Sequence, residues 1–129
     1  MASKELVYWI SGETRYRIID LLLATRSGRQ LAIELGITPT AVNKYVYRRA
    51  YPSDEVIERA LEIAAPFEKE KLLRIIADEL LGLVERVYRE LLSNSVDVGR
   101  YFLERLESII EAMESGSIGE GEGGEALPS

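Results

Sequence analysis

Leu31-Ala32-Ile33-Glu34-Leu35-Gly36-Ile37-Thr38-Pro39-Thr40-Ala41-Val42-Asn43-Lys44-Tyr45 is the stretch from which the fold can be read. Leu31, Ala32 and Leu35 share one face of a helix that Ser27 caps and Gly36 ends, because glycine accepts the positive φ such a stop requires. Thr38-Pro39 then starts a new helix: the hydroxyl accepts an orphan backbone donor, and proline is tolerated at the first helical position. Two helices crossing steeply through so short a turn need a small residue where their backbones meet, which Ala32 supplies, and apolar plugs, which Ile37 and Val42 supply. The second helix is predicted over Pro39–Tyr47, with Val42, Tyr45, Val46 and the aliphatic stem of Arg49 inward. Thr40, Asn43, Lys44 and Tyr47 stand at i, i+3, i+4 and i+7 on the opposite face.

Helical spacing continues on both sides. Upstream, Glu13–Thr25 turns Ile18, Ile19, Leu22 and Leu23 inward and leaves Arg15 and Arg17 near the surface. Leu6–Ile10 reads as a short strand or a helical arm, ended by Ser11-Gly12. Downstream, Pro52-Ser53-Asp54-Glu55 opens a helix with Val56, Ile57, Ala60, Leu61 and Ile63 inward, and Pro66 interrupts it. Long helices are predicted from about Phe67 to Leu92 and from Val96 or Asp97 to Met113, separated by Ser93-Asn94-Ser95. The expected fold class is therefore all-α: an N-terminal helix-turn-helix bundle (residues 1–65), a long C-terminal helical hairpin (66–115) and a disordered acidic tail (116–129). The apolar stripe of the long helices is wider than one partner covers, so a homodimer is expected through Leu80, Val84, Val87, Leu91, Phe102, Leu106, Ile109 and Met113.

Composition removes whole classes of chemistry. The 129 residues include no Cys and no His, so disulfides, thiol nucleophiles and imidazole acid-base catalysis are excluded. No catalytic residue, metal site or cofactor is expected: Asp78, Glu79 and Glu85 lack a facing carboxylate pair. The chain shows neither a signal-peptide pattern nor a long apolar span, so a cytoplasmic protein without membrane association is expected. Arg outnumbers Lys twelve to four while Asn and Gln together number three, a scarcity that points to a thermophilic source.

The net charge of −6 conceals an uneven spread. Met1–Pro52 holds eight cations against four anions, a balance of +4, whereas Ser53–Ser129 holds eight against eighteen, a balance of −10. One end can approach a polyanion while the other keeps the chain soluble. On the basic half, Asn43 can bond an adenine edge, Lys44 can donate to guanine and the Thr40 methyl can meet that of thymine. Arg48 and Arg49 lie where phosphates would pass, and Ser27, Arg29 and Thr38 stand at helix N-termini whose amides attract phosphate oxygens.

These residues resemble the helix-turn-helix transcription regulators of the lambda repressor and Cro type, the xenobiotic-response-element family. The likeness covers about Ser27–Ala64, carried by LAIELGIT, TAVNKY and RRAYPSDEV. It implies a recognition helix over Pro39–Tyr47, with base contacts at Pro39, Thr40, Asn43 and Lys44; Tyr47 extends the same stripe. The chain departs from the family at Gly28, where Gln is usual, at Val46, where Glu is favoured, and at Arg48, where Gly is common. Residues Gly12–Leu23 also resemble the entry helix of winged-helix arsenic-repressor-type regulators, but no hairpin wing follows Tyr51.

The expected function is sequence-specific binding of double-stranded DNA by a dimeric transcription regulator that reads the major groove, with no enzymatic activity. The alternatives are a helical protein-protein interaction module, or an architectural DNA-binding protein without sequence preference. Against each sharp reading stands a plainer one. Lys44, Arg48 and Arg49 could be a solvated surface, Tyr45, Tyr47 and Tyr51 packing residues, and Tyr8 and Trp9 core or dimer-contact residues rather than a ligand platform.

Overall fold

The computed structural model describes residues 4–117. The helices run α1 (Lys4–Tyr8), α2 (Gly12–Leu23), α3 (Gly28–Leu35), α4 (Pro39–Val46), α5 (Asp54–Ile63), α6 (Pro66–Asn94) and α7 (Val96–Ala112), followed by a π-helical turn, Met113–Ser117. No strand occurs among the described residues, and the protein is all-α. From residue 118 on, the expected acidic tail lies outside the described residues. The chain divides into two compact units, Met1–Gly82 and Leu83–Ser129, with the boundary inside α6.

The first unit packs α1 to α5 and the first part of α6 around one core. Ile18, Ile19 and Leu22 of α2, Leu31 of α3, Ile57 of α5 and Leu72 of α6 are fully enclosed. Each such side chain stabilises the fold by roughly 1.5–3 kcal/mol relative to exposure. The helix starts are local events. Ser11, Ser27, Thr38 and Ser53 each accept, through the side-chain oxygen, the amide three residues on, at 3.0–3.2 Å. Glu79 adds a second device at α2, where its carboxylate accepts the Ser11 amide at 3.0 and 3.2 Å.

Several expectations need correction. Of the two readings of Leu6–Ile10 the helical one holds over its first part, since α1 covers Lys4–Tyr8 and sinks Val7 into the core. Tyr8 and Trp9 are outside that core, 67% and 59% exposed, with their rings edge to face at 5.1 Å. Val46 is not inward, because α4 ends there and its side chain is left 38% exposed. The long helix begins at Pro66 itself and absorbs Ser93 and Asn94, leaving Ser95 to cap α7.

Arg15 is the largest departure: it is buried rather than at the surface. Its guanidinium donates to the carbonyls of Ile10 (3.4 Å), Pro52 (2.9 Å) and Val7 (3.1 Å) and pairs with Asp54 at 2.6 Å. Three carbonyls from two chain turns converge there, of which Val7 O also accepts the Ile10 amide at 3.3 Å, and the planar fork of arginine offers enough donors to reach all three and Asp54 at once. One side chain thus ties α1 to α2 and to the start of α5.

In the second unit, the end of α6 and α7 run antiparallel. A Cβ on buried Gly99 would lie 2.7 Å from Leu92 Cδ1 and 2.8 Å from Leu92 Cα, so the two backbones meet at a glycine. One turn further from the bend, Tyr88 and Phe102 stack with ring centroids 6.2 Å apart.

Candidate nucleic-acid interface

The turn between α3 and α4 has the form the sequence requires. Gly36 takes φ 73°, its amide donates to Ile33 O at 3.2 Å, and the Ile37 amide donates to Ala32 O at 2.9 Å. This paired closure is a Schellman motif. Gly28, at the start of α3, rests in ordinary contact with Val42 of α4, where a Cβ would come within 3.7 Å of it. Val42 and Tyr45 are buried beneath α4, so its opposite stripe faces outward.

That stripe is open. Thr40, Asn43, Lys44, Tyr47 and Arg49 are all exposed and line a shallow concavity of about 330 Å³. The lining contains no carboxylate, and among the described residues neither Lys44 nor Arg49 has an ion-pair partner. Several other arginines of the first unit are matched: Arg15 with Asp54, Arg26 with Glu34 and Glu68, Arg48 with Asp20 and Arg74 with Glu70. Pro39 is exposed at the first turn of α4 but is not part of the concavity, and Arg29 is exposed on α3 with no ion-pair partner among the described residues. The Ser27 and Thr38 oxygens already accept their capping amides, at 3.0 and 3.1 Å.

Arg48 is engaged within the protein. Its guanidinium meets Asp20 at 2.8 Å, lies 4.5 Å over the centroid of Tyr16, and donates back to Tyr45 O at 3.1 Å. Hydrogen bonding to Asp20 favours its charged form. The residue has φ 60°, the one non-glycine residue with positive φ among those described. Its amide donates to Tyr45 O at 3.1 Å and the Arg49 amide to Lys44 O at 2.7 Å, so α4 closes with the same Schellman pairing as α3. Arginine here holds a backbone shape that glycine holds at Gly36.

Tyr16, buried with its phenol pushed up by burial, stacks on Tyr51 at 4.9 Å. Tyr51 lies over Gly12, where a Cβ would come within 2.1 Å of its ring. Asp20 and Tyr16, which hold Arg48, are thus the supports of the α4 exit that sequence reasoning missed.

The expected pairing residues of the long helices fall into distinct settings. Leu80 packs against the core of the first unit; Val84, Leu91, Phe102 and Leu106 are half-buried; Val87, Ile109 and Met113 are exposed. No group of three or more carboxylates among the described residues is placed to hold a metal, and no described helix is long and apolar enough to cross a membrane. Comparison with family models, with curated proteins and with solved structures finds no match to the chain.

Proposed function

We propose that the protein binds double-stranded DNA in a sequence-dependent manner and regulates transcription, presenting α4 to the major groove. The observation that carries this reading is the carboxylate-free outer stripe of α4, where Asn43 and Lys44 are exposed beside Arg49, which has no ion-pair partner among the described residues. Asn43 and Lys44 have the donor and acceptor sets that discriminate base edges, each worth about 1–3 kcal/mol of preference. Arg49, past the helix end, suits a phosphate, which carries affinity but no sequence information. Arg48 is assigned a structural task instead, because Asp20 already neutralises it.

Titration of a fluorescent duplex at several salt concentrations tests this. The full chain should bind more weakly as salt rises, and Arg49→Ala should lower the slope of log K against log salt by roughly 0.9, the value for one lost phosphate contact. No salt-sensitive binding at micromolar protein would favour the rival reading, a helical module that binds another protein.

A further inference from the structure

We infer that Asp20 masks a phosphate-binding site at the exit of α4: its carboxylate withholds the charge of Arg48 from the duplex, which costs the protein one phosphate contact. The inference rests on the DNA-binding reading and names what limits the affinity of that site.

Arg48 precedes Arg49, which lines the concavity, and its guanidinium is held from three sides. Nη1 donates to the carbonyls of Tyr45 at 3.1 Å and Val46 at 3.4 Å, and Cζ lies 4.5 Å over the centroid of the Tyr16 ring. Nη2 donates to Asp20 at 2.8 Å. The first two holds come from the closing carbonyls of α4 and from an aromatic face, and neither brings a negative formal charge. With Asp20 neutral they would still fix the guanidinium at the end of α4, next to Arg49, with its charge unmatched by a bonded partner. Carboxylate and phosphate fit the same arginine fork, so the two anions compete for one cation. The competition is open to solvent, since the side chains of Arg48 and Asp20 are 42% and 47% exposed. Glu13 stands on the same stripe of α2 as Tyr16 and Asp20, and its charge also acts on Arg48, after that of Asp20.

Salt titration of a fluorescent duplex with the parent, Asp20→Asn, Arg48→Ala and the double variant tests the inference. Asparagine keeps an acceptor oxygen for Arg48 and removes only the charge; Asp20→Ala takes its place should the asparagine variant melt well below the parent. Asp20→Asn is expected to bind more tightly and to steepen the slope of log K against log salt by about 0.9, so that its advantage shrinks about 3.5-fold between about 50 and 200 mM salt. Arg48→Ala should keep the slope of the parent, and the double variant should lose the gain, as coupling between the two residues requires. A gain that survives in the double variant would come from the removal of any nearby negative charge and would overturn the inference. So would an Asp20→Asn slope equal to that of the parent, or a flatter slope in Arg48→Ala. Each of these failures occurs with a parent that binds in a salt-sensitive way; a parent that binds no duplex would end the DNA-binding reading itself, and this inference with it.

Discussion

Arg48 shows how one residue can look like a ligand contact and serve as a joint. Its charge and place after the outward stripe of α4 suit a phosphate, but its φ of 60° and its bonds to Asp20 and Tyr45 make it the closure of α4. A left-handed conformation costs a non-glycine residue roughly 1–2 kcal/mol of backbone energy, which the contacts with Asp20 and Tyr16 offset. Arg48→Gly should therefore melt at or above the parent temperature, while Arg48→Ala, which keeps the strain and loses the contacts, should melt below both. A glycine variant that melts well below alanine would contradict this account. At the same scale, Lys44→Ala should relax preference among duplexes by about 1–3 kcal/mol, read as the ratio of Kd values for the preferred and a scrambled site. An unchanged ratio would remove Lys44 from base reading.

The elements themselves were legible where their signals are local. Ser27, Gly36, Thr38-Pro39 and Ser53 place the ends of α3, α4 and α5 within a residue or two, because each cap acts over three or four positions. What could not be read were polar groups whose partners lie far along the chain. Arg15 reaches Pro52 and Asp54, and Glu68 reaches Thr25 and Arg26. Glu68, at the third position of α6, is 1% exposed, accepts the Ala65 amide at 3.0 Å and holds Arg26 at 2.9 Å. Burial alone would push its carboxyl up, but the hydrogen bonds from Arg26, Thr25 and Ala65 and the charge of Arg26 outweigh it and bring it down to about 2. A carboxyl held lower in the folded chain contributes stability that is whole above its ordinary value of 4.5 and is lost as pH falls toward about 2. Stability of the parent should decline over that window, and Glu68→Ala, with that decline reduced, should be about 1–3 kcal/mol less stable at neutral pH, since Arg26 keeps Glu34 while the Thr25 hydroxyl and the Ala65 amide lose their acceptor. Denaturant midpoints at pH 3 and 7 measure both. In the second unit, Gly99→Ala should cost about 1–3 kcal/mol, because the added methyl meets the Leu92 backbone at 2.8 Å. Local melting followed by amide exchange in α7 would record it, and unchanged protection there would argue against the close approach.

Across the whole molecule, the division of charge was plain from the residues, +4 over Met1–Pro52 against −10 beyond. The outward face of α4 was legible for the same reason as its core face: one helix with a single apolar stripe has only one other side to show. The long helices were harder, since a stripe broad enough for two partners does not say which residues meet the sister helix and which remain over. Tyr88 and Phe102 settled on each other, while Ile109 and Met113 stayed exposed. The central claim is that α4 reads bases, and selection of bound sequences from a randomised duplex pool tests it most directly when the parent and Asn43→Ala are run side by side. The account predicts an enriched motif with the parent and the loss of information at one adenine-containing position with the variant. Identical motifs from both, or none from either, would contradict it.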